Sequence, residues 1–257
     1  MQEKTLTGGR SYYLDIARTI AIISISLNHA VNRTYDNYFG QMEEFLESSY
    51  LSSLLKSVVT VFSHLGVPLF LMISGALLPA LNSLLVLRDI PPMDTAVYLF
   101  NLCSIYYLYV FIGYFISQGG LQRLRTGEVA VLTVLLFALI CGYQLYAYSD
   151  WVDYLVDYDF PLLLLCAMGL LELLRRGAEH LRGLRPVVTY LAKISFGVYF
   201  IHILIVSLLV WNMNFDGWAR SLKLLFLEGV SVGGSILLIA LFSGIPFCRR
   251  RMFGIKG

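Results

Sequence analysis

Apolar residues run along this chain in long blocks rather than alternating with polar ones. Blocks near twenty residues fall at 12–31, 56–78, 95–117, 129–148, 160–174, 187–211 and 222–247. A helix needs about 20 apolar residues to cross the hydrocarbon layer of a bilayer. Inside that layer every backbone N–H and C=O must find its partner within the chain, which selects helices for such blocks. The pattern therefore predicts an all-α fold, a polytopic bundle of about 7–8 transmembrane helices. Pro68 lies inside the second block and removes a helical N–H, so a kink is expected near it. No fixed-period repeat or low-complexity linker divides the chain, which reads as one domain over 1–257.

Composition agrees with a bilayer as the surrounding medium: 58% of residues are hydrophobic and 14% charged, far from soluble usage. A net charge of +2 gives no footing for nucleic acid. The polar first ten residues lead straight into the first block with no short apolar region of their own, so no cleaved signal peptide is expected. Cys103, Cys141, Cys166 and Cys248 are widely spaced and read as packing residues, and no metal site is expected.

Basic residues mark cytoplasmic loops. Arg175, Arg176, Arg182 and Arg185 in one loop, and Arg249, Arg250, Arg251 and Lys256 near the end, place both regions inside, in a plasma (inner) membrane with a cytoplasmic C-terminus. The stretch 149–159 carries four aspartates and no basic residue, and is expected outside. Traced back through seven blocks, this assignment puts the N-terminus outside, against Lys4 and Arg10. Either the basic-residue signal fails at the weakly charged N-terminus, or the chain has one crossing fewer or more than an ordinary alternation, with 79–94 as the expected place of the discrepancy.

The first block holds the candidate chemistry, Arg18 and His29 in YYLDIARTIAIISISLNHAVNR. Ionisable groups in hydrocarbon are costly and face the bundle or a wet cavity. Eleven residues return a helix to nearly the same face, about 16 Å further along its axis. Asp15, three residues before Arg18, shares that face and can pair with it. Without chemistry, Arg18 is a snorkelling cation and His29 a boundary histidine. His64 precedes the Gly66-x-Pro68 break and lines either a cavity or an interface. Ser74 and Gly75 are small residues whose default role is close helix packing. Ser195, Tyr199 and His202 recur at four and three residues, as a polar cavity wall or an interhelical patch would. His180, among arginines, is expected to be solvated, and tyrosines and tryptophans near span ends fit interfacial belts.

Three segments in order resemble one family. YYLDIARTIAIISISLNHA, with its Arg-x10-His spacing, HLGVPLFLMISGALL, with Ser74-Gly75, and ISFGVYFIHILI, with Tyr199-x-x-His202, are similar to the first, second and late helices of the membrane-bound acyltransferase type 3 family. The resemblance implies transfer of an acyl group, commonly acetyl, from acyl-CoA (acetyl-CoA) to a hydroxyl of a carbohydrate or polysaccharide, with no permanently bound cofactor. It implies that Arg18 and His29 are the essential residues. An imidazole can take the proton of a sugar hydroxyl, or carry the acyl group itself. Arg18 would bind donor phosphates or hold the motif through Asp15. His64, Ser74, Tyr199 and His202 are candidates for substrate binding or cavity lining. Family members continue after the Ser-Gly helix into a basic segment with paired arginines and more helices. Here 81–94 holds Arg88 alone, so an odd number of helices is expected to be absent between Leu78 and Thr95. The alternative reading is a degenerate non-catalytic member, or a transporter-like protein that binds a glycan or lipid.

Overall fold

The structure, a computed structural model, describes residues 11–35, 50–77, 106–149 and 156–244. Among these residues the fold is all-helical, with no strand. The helices are α1 (Tyr12–Tyr35), α2 (Tyr50–His64), α3 (Gly66–Leu77), α4 (Tyr106–Ser117), α5 (Thr126–Ser149), α6 (Pro161–Gly177), α7 (Arg185–Asn212) and α8 (Arg220–Phe242). A 3₁₀ segment, Ala178–Leu184, joins α6 to α7. Five helical stretches are long and apolar enough to cross a membrane: Tyr12–Tyr35, Tyr50–Ala76, Thr126–Tyr148, Pro161–Asn212 and Arg220–Phe242. The fourth contains both α6 and α7.

α1 is the centre of the bundle, with α2, α3, α6, α7 and α8 packed around it. Its sequence suits that place. Ala17 and Ala21 are fully buried and let neighbours approach, while Asp15, Ser24, Ser26 and Asn28 are polar residues hidden from lipid. The outer helices show lipid the reverse character, with Leu132, Leu135 and Leu139 of α5, Leu204 and Leu208 of α7, and Leu225, Leu237 and Leu241 of α8 all exposed. Lipid tails are as apolar as leucine, so helices associate through close packing and hydrogen bonds instead.

The expected kink falls at Leu65, between α2 and α3. Pro68 has no N–H for the carbonyl of His64, and the ladder resumes with Leu69 donating to Leu65 at 3.1 Å. Gly66 then lies against α1 so closely that a Cβ there would stand 2.8 Å from the Ala21 carbonyl oxygen. Gly75 meets the backbone of Val110, and Gly113 the backbone of Met72, in the contact between α3 and α4. This is the packing role expected for the Ser-Gly pair. Ser74 beside it is exposed, its hydroxyl returned to the Phe70 carbonyl at 3.1 Å. Gly75→Val is expected to drive these backbones apart at a cost of about 1–3 kcal/mol. A lowered midpoint in thermal unfolding of the detergent-solubilised chain, with Ser74→Ala near wild type, is the corresponding measurement.

The ends of the bundle overturn the simple seven-span order. The Tyr12 hydroxyl donates to the Leu181 carbonyl at 2.7 Å, and the Arg185 guanidinium lies over the Tyr12 ring at 5.6 Å. The start of α1 and the arginine segment therefore share one end, where alternation through seven spans had separated them. Arg176 also brings Thr126, the start of α5, to this end, at 3.2 Å from the threonine hydroxyl. Lys56 of α2, over the rings of Tyr35 and Tyr148 at 4.4 and 4.6 Å, belongs to the opposite end. Lys56 and Thr126 therefore lie at opposite ends of the bundle. The stretch expected to lack helices, 78–95, lies outside the described residues beyond Leu77, as do residues 95–105 of the third block and the C-terminal arginines.

At the arginine end, Glu172 is completely buried and held by two forks. Arg175 reaches both its oxygens at 2.8 Å, and Arg176 donates to Oε1 at 2.5 Å. Arg176 continues to the carbonyls of Leu121 and Leu124 at 2.6 and 2.9 Å, fastening the turn between α4 and α5. Arg182 pairs with Glu179, and His180 is exposed as expected.

Candidate functional site

α1 and α7 run parallel, in step. Thr19 donates to the Val188 carbonyl at 3.4 Å, and ten residues later on α1 the His29 ring faces the His202 ring, with centroids 5.3 Å apart and planes tilted by 49°. His202 is 1% exposed. Its Nδ1 lies 2.9 Å from the Val198 carbonyl, which can only accept, so that nitrogen carries the proton and Nε2 presents a lone pair. No hydrogen-bond partner meets Nε2, although it is buried. His29 is half-buried. Two imidazoles thus meet inside the bundle, one turn short of its aspartate-rich end.

Arg18 is a separate station. Its guanidinium lies 4.0 Å from Asp15, the pairing expected from their spacing, with side-chain exposures of 28% and 3%. Between the levels of Arg18 and His29, Ile22 packs with Ile194, Val198 and Ile239. What the fold brings against His29 is therefore His202, and Arg18 is grouped with Asp15 toward the arginine end.

The other candidates divide. The Asn28 side-chain amide donates to the Ser63 hydroxyl at 3.2 Å, and Asn32 donates to Asn28 at 3.0 Å. His64, beside Ser63, gives its Nδ1 proton to the Thr60 carbonyl at 2.8 Å and turns its ring to Tyr158, 5.4 Å away. It stands on the α2 flank of α1, while His202 stands on the α7 flank. Ser195 is buried, its hydroxyl on the Ala192 carbonyl at 3.0 Å. Tyr199 departs from the shared wall: it is 41% exposed and stacks on Phe70 at 6.2 Å. The i, i+4, i+7 spacing puts Ser195 and His202 toward α1 and leaves Tyr199 to one side.

Two charged residues inside the bundle were not among the sequence candidates. Glu228 of α8 accepts from the Ser26 hydroxyl at 2.9 Å, and Ser26 lies 3.1 Å from the Ser231 hydroxyl. Lys56 is 6% exposed between two tyrosine rings. The signal for Glu228 was present, as a carboxylate in the middle of an otherwise apolar block. No group of His, Cys, Asp and Glu that could hold a metal occurs among the described residues.

The first helix of this bundle carries both Arg18 and His29, and it brings His29 against His202 of a late helix. The chain matches the family described as an acyltransferase domain, acyltransferase type 3, over residues 11–93 and 84–243, and it belongs to that family. The two matched segments meet at 84–93, within the stretch where helices were expected to be absent. No curated protein and no solved structure matches the chain. It is thus an integral membrane protein of an acyltransferase family.

Proposed function

We propose that the chain is an O-acyltransferase that moves an acyl group, acetyl in the simplest case, from acyl-CoA to a hydroxyl of a carbohydrate. The observation that carries this reading is the His29–His202 pair. A base must give its lone pair to the acceptor and rest its other nitrogen on something that accepts. His202 Nε2, buried, without a partner and on a ring that faces His29, supports a role in accepting the His29 N–H during the reaction. His29 takes the proton of the acceptor hydroxyl. The oxygen forms the new ester bond with the acyl carbon, the C–S bond breaks, and the thiolate leaves and is protonated to free coenzyme A. His202 acts through His29 and is a positioning residue. Arg18, with Asp15, serves the donor phosphates from the arginine end. With the basic loop cytoplasmic, as Lys and Arg in short loops require, the start of α1 is cytoplasmic too and His29 lies toward the outer face. A plasma-membrane location follows from a donor on one side and a surface glycan on the other.

Membranes carrying the chain are expected to transfer label from acetyl-CoA to endogenous glycan, where membranes without it do not. His202→Asn, which keeps a polar group but not the ring nitrogen in place, is expected to lower kcat about 10–100-fold with KM for acetyl-CoA unchanged. A His202 that only fills space would leave kcat intact in His202→Asn and raise no barrier. Equal loss of kcat and folding yield would likewise count against the positioning role.

A further inference from the structure

The reading above leaves the carboxyl of Glu228 without a task. It stands on α8, inside a membrane-length helix, where such a group is costly unless engaged. Oε2 accepts the Ser26 hydroxyl at 2.9 Å, and Ser26 is 3.1 Å from Ser231, whose own hydroxyl lies 3.0 Å from the Glu228 carbonyl. Ser235 extends the polar row on α8, donating to the Ser231 carbonyl at 2.6 Å. One carboxyl oxygen is therefore fixed by a hydrogen-bonded frame. The other, Oε1, is sealed from solvent and meets no partner. A buried polar atom without a hydrogen bond is destabilising, and a donor delivered by a ligand removes that cost.

Position gives the ligand its chemistry. Ser26 and His29 are three residues apart on α1, neighbours on the helix surface with about 5–6 Å between their Cβ atoms. Glu228 thus flanks the level of His29 from α8, while His202, with its own unmet Nε2, flanks it from α7. We infer that Glu228, steadied by Ser26, holds the acceptor: Oε1 receives the hydroxyl adjacent to the one that His29 deprotonates, so the acceptor is a polyol and not a lone alcohol. This inference rests on the acyl-transfer reading for its reaction. It adds a binding residue on a helix that none of the three sequence motifs includes.

The test uses the full chain in membranes, acetyl-CoA, and two probes with one carbon skeleton, glycerol and propan-1-ol. Wild type is expected to acetylate glycerol about tenfold faster or more at equal concentration, the effect of one hydrogen bond to a carboxyl group. Glu228→Leu is expected to bring that ratio near one, with Glu228→Gln between. A fall of both probes in equal proportion, or a ratio unchanged in both variants, overturns the inference. A second measurement needs no activity and no variant. Dicyclohexylcarbodiimide modification of Glu228 in wild type, read by peptide mass spectrometry, is expected to slow with glycerol and not with propan-1-ol. Equal rates with the two probes overturn the inference. Absence of His29-dependent label transfer to endogenous glycan ends the acyl-transfer reading instead, and the protection result still decides the Glu228 site.

Discussion

His29→Ala is expected to abolish acyl transfer while the chain still inserts and folds. A positioned general base contributes about 10²–10⁴-fold, and here no second histidine can take over. His202 gives its Nδ1 proton to Val198 and is walled in at 1% exposure, and His64 lies on the opposite flank with its Nδ1 bonded to Thr60. The loss is therefore expected to reach at least about a thousandfold in kcat/KM, within the range for acid–base catalysis. The folding control is favourable because His29 is half-buried, with its ring against His202. The measurement is label transfer from acetyl-CoA in membranes, alongside the unfolding midpoint of the purified chain. Incubation with labelled donor and no acceptor separates the two roles open to His29. A relay leaves an acyl-imidazole on the wild-type chain that hydroxylamine releases, and a base leaves none. Retained transfer in His29→Ala at an unchanged midpoint would sink the proposed function.

The second large effect concerns stability. Arg176→Leu is expected to cost about 3 kcal/mol, the lower end of the range for breaking a buried pair, because Arg175 stays on Glu172. The substitution removes more than one ionic contact. Arg176 also ties the Leu121 and Leu124 carbonyls and the Thr126 hydroxyl, so the turn that leads into α5 loses its fastening to α6. Arg176→Lys restores the charge without the fork and is expected to recover less than half of the loss. Thermal unfolding in detergent, with limited proteolysis at 118–125, reads both consequences. A midpoint like that of wild type would show the clamp to be solvated and inert.

Much of the fold was legible because the signals were local. Block lengths gave the helices, Pro68 gave the break one turn before it, and the three-residue spacing of Asp15 and Arg18 gave their contact. The pairing of His29 with His202 was not legible from spacing, since 173 residues separate them and only the parallel packing of α1 on α7 brings them together. Periodicity set Tyr199 on the face of His202, and its ring does lie 6.1 Å from the His202 ring, but it is also exposed and stacked on Phe70. Helical periodicity fixes which residues share a face within a wide arc, but the neighbour decides where that arc is cut, and here it falls between His202 and Tyr199. The parity of crossings stayed open because charge counts assign sides to loops and say nothing of how many helices lie between them. Glu228 was missed although its type and place marked it, because it belongs to no motif and its partner Ser26 is an ordinary residue until the two helices meet.

The wide sequence separation of the packed helices α1 and α7, 169 residues at Thr19–Val188 and 173 at His29–His202, has a consequence for biosynthesis. α1, with its buried polar residues, is made well before α7 and α8, the helices that meet His29 and Ser26. During most of translation α1 must wait in or beside the insertion machinery with these groups unmatched, because lipid offers them nothing. Assembly of this bundle is thus gated by the arrival of α7 and α8, and closure around α1 waits until both have been made.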